Sequence, residues 1–233
     1  MTARFVGPTS CGKTTFLCSI INQKLIEPWP SKILYCYGSA WQSPVFDTLK
    51  TKHNVIFHKG FDESVIESHS GSGPLLVICD DLVLEMRDSE AAANLFIRGS
   101  HHLNMSVILI EQTLFPKGRS SVSLKQNSHY TVLFKSPSDA LGVATLSRQM
   151  FPERGGKFMA DSFHDCTREP FTYLIVDSKQ DTPDDLRLLT RIDDQGSYPL
   201  VYMQASNVQD RVSQFNQKSM VTRDDEEDKE GSQ

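Results

Sequence analysis

The stretch Gly7-Pro8-Thr9-Ser10-Cys11-Gly12-Lys13-Thr14 fits the pattern G-x-x-x-x-G-K-[ST] and is followed by Thr15. It lies between the apolar pair Phe5-Val6 and a helical pattern that sets Phe16, Leu17, Ile20 and Ile21 on one face. Strand, glycine-rich loop and helix in this order form a phosphate-binding loop. The glycines let successive backbone N–H groups turn toward phosphate oxygens, and the following helix presents its positive end. Lys13 is expected to add a point charge at the β- and γ-phosphates, and Thr14 to offer its hydroxyl to Mg2+. The expected ligand is a nucleoside triphosphate, ATP with Mg2+. The plainer reading, a glycine turn before an ordinary helix, does not explain all four fixed positions in this setting.

A second group of chemical side chains follows an apolar run. Leu75–Asp81 reads LLVICDD, a buried strand that delivers two carboxylates to the carboxyl edge of a sheet, where ligands of α/β proteins bind. Acids at a strand end are often only solvated. Downstream of a phosphate loop, Asp80 is expected to hold Mg2+ and Asp81 to polarise an attacking water. The next buried run, Met105–Ile110, ends in Glu111-Gln112. A polar residue at the tip of a neighbouring strand suits a hydrolase that orients water near the γ-phosphate, and Gln112 is the candidate.

These groups need a sheet to hold them. Lys32–Tyr37 (KILYCY), Val55–Phe57, Leu75–Cys79, Met105–Ile110, Tyr130–Phe134 and Phe171–Val176 read as strands, with helices expected over Glu90–His102, capped by Ser89, and over Ser138–Met150. The alternation predicts an α/β fold with a mostly parallel sheet covered by helices on both faces. Thr113–Ser128 reads as a long polar loop carrying Lys117, Arg119 and Lys125, long enough for a working surface rather than a connector. The ATPase domain is expected to span 1–195. Residues 196–233 form an extension, whose end, Val221–Gln233, has the composition of a disordered tail.

The chain has 233 residues, 39% apolar and 23% charged, enough for one full core. Its net charge of −5 is concentrated in Arg223–Glu230, which carries −4 and leaves the body near neutral. Charge therefore neither demands nor excludes a nucleic-acid partner. Five cysteines without C-x-x-C spacing read as reduced, mostly core thiols, and seven histidines show no metal-ligand spacing. The adjacent His101 and His102 would point in different directions on a helix. No run is long enough for a membrane span and Met1 begins no secretory signal, so a soluble intracellular protein is expected.

In order along the chain, GPTSCGKTTFL, ILYCYGSAWQ, LLVICDDL, FIRGSHHLNMSVILIEQTLF, YTVLFKSPSD, RQMFP and TREPFTYLIVD resemble the viral genome-packaging ATPases of the FtsK–HerA superfamily. The likeness is to those of Maverick/Polinton-type elements and related DNA viruses, poxvirus-like packaging ATPases among them, and runs from Phe5 to Arg191. It implies a RecA-like ASCE core that assembles as a homo-oligomeric ring. It further implies that the ring drives double-stranded DNA into a capsid, with a capsid or portal protein as partner and a host nucleus or cytoplasmic assembly site as location. Carried over by position, Lys13 and Thr14 are the Walker A pair, Asp80 and Asp81 the Walker B acids, and Gln112 the strand-four glutamine. The chain departs from the family pattern at Glu111, where a small or neutral residue is usual. The family also requires an arginine that reaches a neighbour's γ-phosphate. Arg148 is the preferred candidate, with Arg168 and Arg98 as alternatives. Two other readings of the phosphate loop stay open: a kinase for a nucleotide or small metabolite, and a nucleotide-dependent switch, the latter without the N-K-x-D motif of a GTPase.

Overall fold

The continuous apolar runs become the centre of one sheet, because a strand paired on both sides and covered on both faces has no place for a solvated side chain. The computed structural model describes residues 1–38, 44–71, 73–99 and 104–205. The strands are β1 (Thr2–Val6), β2 (Lys32–Tyr37), β3 (Ile56–Lys59), β4 (Leu75–Asp80), β5 (Met105–Glu111), β6 (Tyr130–Phe134), β7 (Tyr173–Asp177), β8 (Leu188–Thr190) and β9 (Leu200–Tyr202). Their order is β3-β2-β4-β5-β1-β6-β7-β8-β9. The first six are parallel and the last three antiparallel. The carboxyl ends of β2, β4, β5, β1 and β6 therefore share one edge with the amino end of β7.

Side-chain alternation sorts the core into two faces. On one, Phe5, Ile78, Ile108, Val132 and Ile175 pack under α1 (Lys13–Asn22), with Leu49 of α2 (Pro44–His53) beside them. On the other, β2, β4 and β5 meet α3 (Glu63–His69) and α4 (Glu90–Asn94), while β6 and β7 meet α6 (Ala140–Met150) and α7 (Lys157–Cys166). A further helix, α5 (Arg119–Gln126), joins the same side through Leu124.

Several elements differ from expectation. Residues 113–128 are not one loop, since α5 occupies half of them. Its few apolar side chains hid it, but Ser120 and Leu124, four apart, are buried, and Ser120 Oγ donates to the Ser89 carbonyl at 2.7 Å. Ser89 caps α4 as expected, accepting from Ala92 N at 3.2 Å. The α-helix ends at Asn94, and a π-helical turn, Leu95–Gly99, follows that keeps both Leu95 and Phe96 buried. His101 and His102 lie outside the described residues. So does the acidic tail. The sheet runs past residue 195, with β9 paired to β8. Among the described residues no helix is long and apolar enough to cross a membrane.

The acid that departs from the family pattern has a structural partner. Glu111, at the end of β5, is 2% exposed, and its Oε2 accepts from Arg4 Nε on adjacent β1 at 2.6 Å. Arg4 also donates to the Leu114 carbonyl at 2.8 Å, so one guanidinium holds the chain on both sides of Gln112. Burial pushes the Glu111 carboxyl up, and the Arg4 charge opposes that rise. Arg4→Ala, which strands a buried carboxylate, should cost about 3–5 kcal/mol in urea unfolding. The paired change Arg4→Met with Glu111→Leu should recover most of that loss, since it removes both charges together.

Candidate functional site

β1 feeds directly into the phosphate loop, and the loop is tied to β5 at its first residue: Gly7 N donates to the Glu111 carbonyl at 3.2 Å. Lys13 folds under the arch. Its Nζ donates to the carbonyls of Gly7 at 2.5 Å and Pro8 at 2.7 Å, with Cys11 Sγ at 3.8 Å. Gly12 stands at φ +108° at the N-terminus of α1, a conformation that glycine adopts without strain. The first turn of α1 carries no acid, so its positive end is not neutralised by its own side chains. Phe16 anchors this helix, with ring centroids 4.2 Å from Tyr173, 5.2 Å from Phe5 and 6.1 Å from Phe134.

The two acids at the end of β4 occupy different environments. Asp80 is half-buried, and its Oδ2 accepts from Tyr35 Oη at 2.5 Å. Burial raises its pKa, opposed by the Tyr35 hydrogen bond; the Asp81 charge adds to the rise and the Lys13 charge opposes it. Asp81 is exposed, in left-handed conformation at φ +56°, and its Oδ1 lies 3.5 Å from the Gln112 amide nitrogen. The turn is held by Gly38, whose N–H donates to the Asp80 carbonyl at 3.0 Å. A Cβ at Gly38 would stand 2.2 Å from the Asp81 carbonyl oxygen, so only glycine admits this approach.

These groups line one cavity of about 510 Å3 at the carboxyl edge of the sheet. Thr9, Ser10, Gly12, Lys13, Thr14 and Thr15 contribute from the loop and α1, Asp80 and Asp81 from the end of β4, and Gln112 from the end of β5. Gly7, Pro8 and Cys11 shape the loop beneath. The hydroxyl of Thr14 and the carboxylate of Asp80 are hard oxygen donors of the kind Mg2+ takes. Three arginines stand elsewhere. Arg148 is exposed in the last turn of α6, outside the cavity lining, and Arg168 is exposed and paired with Asp165 at 3.1 Å. Arg98 belongs to the π-helical turn, and its side chain lies outside the described residues.

Sequence reasoning missed Tyr35, Tyr37, Phe46 and Phe171. Tyr35 was within reach: alternation along KILYCY sets Ile33, Tyr35 and Tyr37 on one face of a strand beside the acid-ended one. Phe171 carried no such signal, because it reads as the first residue of the apolar strand Phe171–Val176. In fact it precedes β7, 68% exposed at φ +66°, and its ring lies against Gly12.

No protein-family model and no curated protein sequence matches the chain. Among solved structures it is similar to the genome packaging NTPase B204 from Sulfolobus turreted icosahedral virus 2 in complex with ATP-gammaS. That likeness has a TM-score of 0.52 at 12% identity and covers 78% of this chain and 94% of that one. The same NTPase in complex with sulfate gives 0.50 at 12% identity, covering 78% and 93%. The chain thus has the fold of P-loop NTPases, a large mostly parallel sheet flanked by helices.

The environment of Asp80 has a measurable consequence. Its folded pKa lies above the ordinary value of 3.8, so its stabilising contribution is full in acid and is lost as pH rises through the raised value. Asp80→Asn keeps an acceptor for Tyr35 and removes the charge. Thermal scans should show the variant melting higher than the parent at neutral pH, by about 2–4 °C per kcal/mol relieved, with the gain fading toward about pH 4.

Proposed function

We propose that this chain is an ATP-hydrolysing motor of the FtsK–HerA type that forms a homo-oligomeric ring and moves double-stranded DNA into a viral or virus-like capsid. The observation that carries the proposal is the convergence of Lys13, Asp80, Asp81 and Gln112 on one cavity. The fold shared with a viral packaging NTPase along 94% of that chain supports it, as do the motifs that resemble Maverick/Polinton-type and poxvirus-like ATPases.

In this reading Lys13 and the loop N–H groups bind the β- and γ-phosphates, and Thr14 and Asp80 hold Mg2+, which neutralises phosphate charge when bound. Asp81 orients and deprotonates the attacking water. Gln112, within reach of the Asp81 carboxylate, senses the γ-phosphate and couples turnover to the polymer. Arg148, exposed and away from its own cavity, supplies positive charge to the site of a neighbouring subunit.

The central test is ATP hydrolysis with and without long duplex DNA. Stimulation by duplex DNA is expected; stimulation by a small acceptor would mark a kinase, and by neither a switch. Asp81→Asn should fold normally, because asparagine tolerates left-handed backbone, and should bind ATP while turnover drops by about 10²-fold or more. Gln112→Ala should bind ATP and lose the DNA stimulation, measured as the ratio of rates with and without DNA.

The arginine assignment needs mixed assemblies. Arg148→Ala should bind ATP and stay inactive, with the loss near the 10³–10⁵-fold measured for arginine fingers elsewhere. Mixing it with Lys13→Ala should restore some hydrolysis, since an intact Lys13 site can then face an intact Arg148. No recovery in verified mixed rings would return Arg148 to an ordinary surface role.

A further inference from the structure

We infer that Phe171 is the platform on which the base of the bound nucleotide stacks. The inference rests on the proposed nucleotide site. The acids and Gln112 stand at the ends of β4 and β5, on one side of the phosphate loop that follows β1. Attack on the γ-phosphate takes place among them, so the triphosphate must run across the loop with its terminal phosphate toward β4 and β5. Its base then leaves on the opposite side, over β6 and β7. Phe171 stands there, two residues before the start of β7, and lines the same cavity.

Two features of Phe171 have no explanation within the fold. Its ring is 68% exposed, whereas the neighbouring Phe134 and Tyr173 are buried. A bulky side chain at φ +66° is also strained, and such strain persists where the surroundings enforce it at a functional site. The position is enforced. A Cβ on Gly12 would lie 3.3 Å from Phe171 Cβ and 3.4 Å from Cδ1, so Phe171 lies close against the backbone of the phosphate loop. The cavity's other aromatic groups are placed differently: Phe46 packs at 5.1 Å on Tyr35 and 5.3 Å on Phe57, and Tyr37 ends β2, beyond the acids. An exposed ring held beside a phosphate site offers a face to any base, so it contributes affinity without selecting adenine over guanine.

The test separates base from phosphate. Binding of ATP, GTP and inorganic tripolyphosphate, each with Mg2+, is measured by calorimetry on the parent, Phe171→Ala, Phe171→Tyr and Lys13→Ala. Phe171→Ala should weaken ATP and GTP alike by about 5- to 150-fold, the range for loss of one base–aromatic stack, and leave tripolyphosphate unchanged. Phe171→Tyr should bind all three as the parent does, and Lys13→Ala should weaken all three. Equal loss of ATP and tripolyphosphate in Phe171→Ala would make the ring a prop for the loop and overturn the inference. Unchanged ATP affinity would overturn it too, with the phosphate site intact. No binding of any ligand to the parent would overturn both the nucleotide reading and the stacking platform.

Discussion

The Arg4–Glu111 ion pair is the constraint from which the site geometry follows. Two charges at 2% exposure are expensive to desolvate, and such a pair adds little stability over apolar side chains of similar size. What it supplies is register. β1 and β5 are parallel neighbours with Val6 opposite Glu111, and a slip of one residue would turn every side chain of β1 to the wrong face. Arg4 would then leave Glu111 unpaired in the core. The same residue of β5 accepts from Gly7 N through its carbonyl, so the ion pair and the start of the phosphate loop are fixed together. The second guanidinium bond, to Leu114, fixes the far side of Gln112. Asp139 completes the hold by accepting from Leu114 N at 3.0 Å.

A second set of contacts fixes the opposite face. Phe16 presses α1 onto β1, β6 and β7 through three rings, and Tyr35 reaches from β2 to the carboxylate of Asp80 on β4. The loop therefore has little freedom to move relative to the acids. Both Lys13 and Asp80 lie on segments whose neighbours are packed, while Asp81 and Gln112 are exposed at the cavity, 3.5 Å apart. Packed segments of this kind hold side chains in fixed relative positions, which is the condition that the proposed phosphoryl-transfer chemistry depends on.

The central strands and the chemical groups on them were legible because each carried its own local signal. LLVICDD announces a buried strand and its acids in seven residues, and the phosphate loop announces itself in eight. The helices α2, α3, α5 and α7 were not legible: α3 and α5 are short and polar, and α2 and α7 show only a partial apolar stripe. β8 and β9, three residues each at the sheet margin, are too short to stand out as strands, although β9 is apolar throughout. Arg4 and Glu111 are informative only as a pair, 107 residues apart, and each alone reads as an ordinary charge. Long-range pairing of this kind leaves no trace in local periodicity.

Backbone strain gives the cavity a cost that packing alone would not predict. Among the described residues, seven that are not glycine have positive φ, and three of them, Ser10, Asp81 and Phe171, line this one cavity. Each comes from a different segment: the phosphate loop, the turn after β4 and the approach to β7. Asp81, like Asn54 and Asn104, is of a type that tolerates this backbone conformation, whereas Ser10 and Phe171, and Lys24 and Arg191 elsewhere, are not. Strain of order 1–3 kcal/mol at a single residue is retained only where the surroundings over-determine it. Here the Gly38 N–H bond beside Asp81 and the contact of Phe171 with Gly12 provide that support. The rigid sheet beneath, held in register by its one buried ion pair among the described residues, is what lets three left-handed positions face the same space.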